Sequence, residues 1–287
     1  MKQLLILSGK GGTGKTTVAS AFIKLANAKA FADCDVDAPN LHLLMNQISQ
    51  PIISDYYGMD KAFIDTMKCK SCGMCKENCG FDAIKLVNEE FKVDYFSCEG
   101  CGVCEEICSF DAITLRPDVA GKLTLYTKDK IFSTAQLKMG SGTSGKLVSE
   151  VKKQMKESVE NADLAIIDGS PGIGCPVIAS LSGVDSVLIV TEPSLSGIND
   201  MLRIIRTAKK LNVRTFVCVN KYDTNVENTN KIKSICEELN LPFVGEIPYD
   251  KEVIKAINNG HSIVDVECKA GNAVKDVFKN TMKIINR

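Results

Sequence analysis

Two cysteine runs with matching spacing lie in the middle of the chain, Cys69-x-x-Cys72-x-x-Cys75-x-x-x-Cys79 and Cys98-x-x-Cys101-x-x-Cys104-x-x-x-Cys108. Every cysteine of the second follows its counterpart by 29 positions, and the flanks repeat too: Phe81-Asp82-Ala83-Ile84 answers Phe110-Asp111-Ala112-Ile113. Three close thiolates with a fourth farther on match the spacing that holds cubane [4Fe–4S] clusters, in which the distant cysteine completes the neighbouring cluster. The first cluster is expected on Cys69, Cys72, Cys75 and Cys108, the second on Cys98, Cys101, Cys104 and Cys79. Gly80 and Ser109 stand where such runs usually carry proline, which loosens the turn and removes no ligand. Two zinc sites, each of four thiolates, are the rival reading, although those normally pair C-x-x-C units across a longer gap.

A phosphate loop precedes both runs. Gly9-Lys10-Gly11-Gly12-Thr13-Gly14-Lys15-Thr16 satisfies G-x-x-x-x-G-K-S/T, follows an apolar strand and opens a helix, the context this motif requires. Gly11, Gly12, Thr13 and Gly14 let backbone N–H groups approach phosphate oxygens at the positive end of the helix, with Thr17 beside them. Lys15 is expected to bridge the β- and γ-phosphates, and Thr16 to bind Mg²⁺. The expected cofactors are ATP, Mg²⁺ and two [4Fe–4S] clusters.

The elements that must position these groups are legible in outline. Leu4–Ser8 reads as a buried strand, Lys15–Ala28 as a helix, and Phe31–Asp33 as a second strand ending in acidic residues. The alternation returns with strands at Leu164–Asp168, Val187–Val190, Thr215–Asn220 and Phe243–Ile247, and helices near Ile198–Leu211 and Asn228–Leu239. This predicts an α/β fold, a doubly wound and mostly parallel sheet. An α+β cluster unit is expected as an insertion at 65–117, dividing the nucleotide-binding domain into 1–64 and 118–287, with β ribbon at Pro51–Ile64 and Lys122–Leu137 as its stems. Glu267–Arg287 carries an apolar helical stripe, expected as a closing helix on the sheet rather than a membrane-docking one.

Composition narrows the partners. The 287 residues hold 35 basic and 35 acidic side chains, so no global field draws the chain to nucleic acid or to an acidic membrane. No run approaches the roughly 18 apolar residues of a spanning helix. The short N-terminal apolar run reads as a strand, not an export signal, and thirteen cysteines without such a signal point to a reduced cytoplasm.

Lys10-Gly11-Gly12-Thr13-Gly14-Lys15-Thr16 resembles the deviant phosphate loop of the MinD/ParA ATPases, a group that also holds the nitrogenase iron protein and the Mrp-type cluster carriers. That resemblance implies a nucleotide-sandwich homodimer formed on ATP binding, in which Lys10 reaches the partner's phosphates. Asp33-Cys34-Asp35 through Leu41 resembles the family's first switch, implying that Asp35 positions the attacking water and Asp33 supports the metal's water shell. Asp37 reads as a loop-capping carboxylate. Asp168-Gly169-Ser170-Pro171-Gly172 resembles the second switch, with Asp168 on the Mg²⁺ side. Asn220-Lys221-Tyr222-Asp223 is similar to the base-recognition segment, and Pro248 to the loop over adenine. With the cysteine runs, the chain looks like a MinD-type ATPase carrying an inserted ferredoxin unit.

The function expected from this combination is a nucleotide-dependent dimer that hydrolyses ATP and gates electron transfer through two clusters to a redox partner protein. A cluster or metal delivery factor is the first alternative, and a redox-sensing spatial organiser the second. Of the remaining cysteines, Cys34, Cys175, Cys218, Cys236 and Cys268, none forms the C-x-x-C pair that the carriers use, and only Cys175 falls near a place where the nitrogenase iron protein holds a bridging cluster.

Overall fold

The computed structural model describes residues 1–45 and 50–286; Arg287, the last residue of the expected C-terminal helix, lies outside them. The chain enters through β1 (Lys2–Leu7), α1 (Lys15–Leu25) and β2 (Ala30–Asp33), then a 3-10 turn at Leu41–Leu44. After β3 (Ile52–Tyr57) it runs through β4 (Lys61–Ile64), α2 (Met74–Glu77), β5 (Ile84–Val87), β6 (Glu90–Val93), α3 (Val103–Glu106) and β7 (Ile113–Arg116). It returns by β8 (Val119–Tyr126), β9 (Ile131–Leu137), α4 (Ser144–Ser158), β10 (Leu164–Asp168), α5 (Cys175–Leu181), β11 (Ser186–Thr191) and α6 (Leu195–Lys210). β12 (Arg214–Asn220), α7 (Val226–Glu238), β13 (Phe243–Ile247), α8 (Lys251–Asn258) and α9 (Lys269–Ile285) complete it.

Among the described residues the main sheet has nine strands in the order β13-β12-β11-β1-β10-β2-β9-β8-β3. From β13 to β9 every pairing is parallel, while β8 runs antiparallel to both β9 and β3. The apolar run of β1 follows from this central place: Leu4 and Ile6 enter one core, Leu5 and Leu7 the other, so neither face tolerates a polar repeat. The first core holds Phe22 of α1 and Val274 and Val277 of α9; the second holds Leu147 and Val151 of α4 and Met201 and Ile204 of α6. Phe278 of α9 meets Phe22 edge to face at 5.2 Å, a contact worth about 0.5–1.5 kcal/mol beyond burial. The C-terminal stripe is therefore spent on the core. Among the described residues no helix is long and apolar enough to cross a membrane.

The expected stems pair antiparallel, β3 with β8 and β8 with β9, and this ribbon extends the main sheet beyond β9. β4 lies before the expected boundary at residue 65, yet it pairs with β7, and β5 pairs with β6. These two small antiparallel sheets are inserted between β3 and β8. Their core is small, with Ala62, Ile64, Ala83, Ile84, Phe91 and Ile113 packed against cysteines.

Candidate nucleotide site and paired cysteine cavities

The parallel strands end on one edge, which brings Leu7, Asp33, Asp168, Thr191, Asn220 and Ile247 together where open α/β sheets bind ligands. The phosphate loop leaves β1 and turns into α1 through Gly14, held at φ 90°. A side chain there would meet the Asn220 amide at 2.3 Å, because Asn220 Nδ2 donates to the Thr13 carbonyl at 2.7 Å. Glycine is needed at this position both for its backbone angle and for that approach.

Lys15 is buried and donates to Asp168 Oδ1 at 2.7 Å and to Thr16 Oγ1 at 3.4 Å, with Asp35 Oδ2 at 3.9 Å. Burial by itself disfavours the ammonium, but Asp168, Asp33 and Asp35 together hold its pKa above the ordinary lysine value. Burial also raises the carboxyl of Asp35, with Lys15 opposing and Asp168 adding to it. The second oxygen of Asp168 and the hydroxyl of Thr13 are buried without hydrogen-bond partners. An orphaned carboxylate oxygen beside Thr16 suits a hydrated divalent cation, so the residues present fit Mg²⁺.

Asp33 accepts from the backbone N–H groups of Asp35, Asn40 and Leu41, each at 3.0 Å. Loop capping after β2 therefore falls to Asp33 and not to Asp37, which is exposed. The base-side cavity is lined by Gly12, Gly14, Thr17, Asn220, Pro248 and Tyr249, with Val253 and Ile254 adding apolar wall. Asp223 is absent from that wall; its Oδ1 accepts from the Tyr249 N–H at 2.7 Å and fixes the loop that forms it. A larger cavity opens at the opposite edge of the sheet near Gln3, Lys29 and Lys156 and contains none of the expected site residues.

Lys10 is folded back onto its own chain. Its ammonium meets Glu192 Oε1 at 2.5 Å and the hydroxyls of Ser194 and Ser196 at 3.3 Å each. Lys221 shares Glu192 at 3.4 Å and donates to the Gly12 carbonyl at 3.0 Å. Burial works to raise the Glu192 carboxyl, but Lys10 and Lys221 hold it below the usual range. The sequence reading missed Glu192; an acidic residue directly after the apolar strand β11 was the available signal. Ser194 doubles as the N-cap of α6, accepting from the Gly197 N–H at 3.1 Å.

The small unit repeats its geometry with its sequence. Cys69 N–H donates to the Asp65 carbonyl and Cys98 N–H to the Asp94 carbonyl, while Asp65 N–H reaches Ala112 and Asp94 N–H reaches Ala83. The two halves thus lean on each other. Ala83 N–H points to Cys79 Sγ at 3.3 Å and Ala112 N–H to Cys108 Sγ at 3.4 Å. Cys69, Cys72, Cys75 and Cys108 line one cavity; Cys98, Cys101, Cys104 and Cys79 line another, each of about 20 Å³. The fourth cysteine is exchanged in both.

Among the described residues no three His, Cys, Asp or Glu side chains form a group that could hold a single metal ion. Burial first, then the thiols of Cys98 and Cys101, push Cys104 up to about 11, and burial raises Cys75 as well. Thiols in such company ionise only against a strong positive charge. Donor type, number and the two aimed N–H groups all fit sulfur-ligated clusters. The remaining cysteines stand apart: Cys34, Cys218 and Cys236 are buried, with Cys218 pushed up to about 12 by burial; Cys268 caps α9; and Cys175 is exposed at the start of α5.

A family model for the CobQ/CobB/MinD/ParA nucleotide binding domain matches residues 4–263. The Methanocaldococcus jannaschii protein MJ0578 is 33% identical over 288 residues, covering 99% of this chain and 97% of its own length. An iron-sulfur cluster carrier protein of the same organism is 23% identical, covering 98% and 84%. The septum site-determining protein MinD of Pyrococcus horikoshii, solved with Mg-ADP, superposes with a TM-score of 0.60 at 18% identity over 99% of this chain and 97% of that one. A phosphate loop on β1, strands ending at Asp33 and Asp168, and a family match spanning most of the length lead to one conclusion: the chain belongs to the CobQ/CobB/MinD/ParA nucleotide-binding family and is a P-loop ATPase of the MinD/ParA type.

Proposed function

We propose that this ATPase is an iron–sulfur redox protein in which a nucleotide-dependent dimer gates single-electron transfer to a partner protein. The observation that carries the reading is the sorting of the cysteine runs into two exchanged foursomes around separate cavities, in a chain that also carries the phosphate loop. Cubane clusters held there would carry single electrons, with potentials set by charge, hydrogen bonds and exposure. Lys15 and the phosphate-loop N–H groups bind triphosphate, Thr16 and Asp168 hold Mg²⁺, and Asp35 positions the attacking water. Lys10 leaves Glu192 and crosses to the partner subunit's phosphates. Asn220, Pro248 and Asp223 organise the adenine end, Asp223 through its hold on Tyr249. Residues 65–117, with β4 added, act as the electron-transfer unit on a nucleotide-binding domain made of 1–64 and 118–287.

A cluster-delivery role is the second reading, favoured by the resemblance to the relative named as an iron-sulfur cluster carrier. One experiment addresses both. Anaerobically purified protein is assayed for iron and acid-labile sulfide, then challenged with a chelator with and without ATP. Stoichiometric iron that resists the chelator in both conditions is expected for gated electron transfer. ATP-dependent loss of iron would favour delivery, and iron-free protein would overturn both.

A further inference from the structure

Lys61 opens β4, where the chain leaves the main sheet for the small unit, and it is only 8% exposed. Its ammonium donates to the backbone oxygen of Cys98. An ammonium has three N–H donors, and a buried one needs either several acceptors or an anion. Lys152, the other buried lysine outside the phosphate loop, meets the first requirement by donating to the carbonyls of Ala179, Ser180 and Ser182 at 3.0, 2.7 and 2.5 Å. Lys61 has one carbonyl, and none of the ion pairs among the described residues includes it.

Negative charge is available next door. Cys98 carries the carbonyl that Lys61 holds, and its side chain lines the second cavity with Cys101, Cys104 and Cys79. Four ligating thiolates around a cluster leave a net negative charge, which grows by one on reduction. Among the described residues the first cavity has no such counterpart. Glu90, 29 positions after Lys61, stands in the equivalent place, and its side chain is 54% exposed and paired with Lys92. Exposed charges also differ, since Lys70 lines the first cavity and Glu99 the second. Water and salt screen those two, whereas a buried charge acts through a lower dielectric and is screened much less.

We propose that Lys61 is the counter-charge of the second cluster and raises its reduction potential, an inference that rests on the iron–sulfur reading. An electron arriving from a one-electron donor adds one negative charge beside Lys61, and no bond forms or breaks there. Because the cation sits on the strand that follows the Gly58-Met59-Asp60 link from β3, the electron affinity of this cluster is tied to the root of the insertion.

The test is an anaerobic redox titration followed by electron paramagnetic resonance, on the wild type, Lys61→Met and Lys61→Arg, with Lys70→Met as the exposed control. In Lys61→Met one potential is expected to fall by at least tenfold in electron partition, about 59 mV for a one-electron couple. The other potential stays, and Lys61→Arg keeps both. The potential that moves should be the one lost in Cys101→Ser. If Lys61→Met fails to retain the second cluster while Lys61→Arg holds it at the wild-type potential, the need for a counter-charge stands. Full iron content with both potentials unmoved in Lys61→Met overturns the proposal, as does loss of the cluster in both variants. Iron-free wild type would instead sink the iron–sulfur reading itself.

Discussion

Lys10 Nζ stands 2.5 Å from Glu192 Oε1 of the same chain, so the lysine that distinguishes this phosphate loop is held in cis. Reaching a partner subunit's phosphates requires that pair to open. The side chains are 34% and 21% exposed, and pairs of this kind contribute about 0.2–1 kcal/mol. Glu192→Gln should therefore favour the ATP-bound dimer by up to about fivefold. Sedimentation with a nonhydrolysable ATP analogue measures this, and weaker dimerisation in the variant would contradict it.

Lys15 and Asp168 form a buried pair, and removing one partner of such a pair typically costs about 3–5 kcal/mol. Lys15→Met leaves Asp168 facing Asp33 and Asp35 without the cation. Denaturant unfolding of the nucleotide-free protein should show a loss of that order, together with loss of ATP binding. Unchanged stability would mean that the acidic cluster is balanced by something other than Lys15.

Asp33 carries the pH dependence. Burial first, and then the neighbouring Asp168, push its carboxyl up from 3.8 to about 7. An acid with a raised folded pKa binds its proton more tightly in the fold. Its contribution is full below the unfolded value and is lost as pH rises through the folded one. The metal-free, nucleotide-free protein is expected to lose stability between about pH 4 and about pH 7, and Mg²⁺-ATP should oppose that loss. Thermal unfolding across this range checks the sign; a rise in stability with pH would contradict it.

Cys108 lies in the second run but lines the cavity of the first. Cys108→Ser should therefore perturb the cluster held by Cys69, Cys72 and Cys75 and leave the other spectrum intact. Cys79→Ser should do the converse. Magnetic resonance of the two reduced variants distinguishes this from uncrossed ligation, in which Cys108→Ser would perturb the cluster of Cys98, Cys101 and Cys104.

The sheet and its ligand edge were legible because their causes are local. Continuous apolar runs such as Leu164–Ile167 are buried on both faces, and the glycine loop follows one of them. The spacing within each cysteine run likewise implied the exchange of fourth cysteines. Helix α4 was missed, although Leu147, Val148, Val151 and Met155 carry its apolar stripe, because the four lysines and Gln154 around them mask it. The joining of the stem ribbon to the main sheet was not legible, because the pairing of β9 with β2 is long-range and leaves no local pattern. Asp33 and Asp37 could not be told apart in sequence, since their roles depend on which carboxylate the loop closes over. Glu192 and Lys61 matter only through partners far away in the chain, Lys10 and Cys98.

The most direct test is electron paramagnetic resonance of anaerobically reduced protein, recorded with no nucleotide, with Mg²⁺-ADP and with a nonhydrolysable ATP analogue. Closure of the dimer on triphosphate should alter the cluster signals or their potentials, while Mg²⁺-ADP leaves them near the nucleotide-free state. Cluster signals identical in all three conditions, in protein that binds the analogue and dimerises, would contradict nucleotide-gated electron transfer.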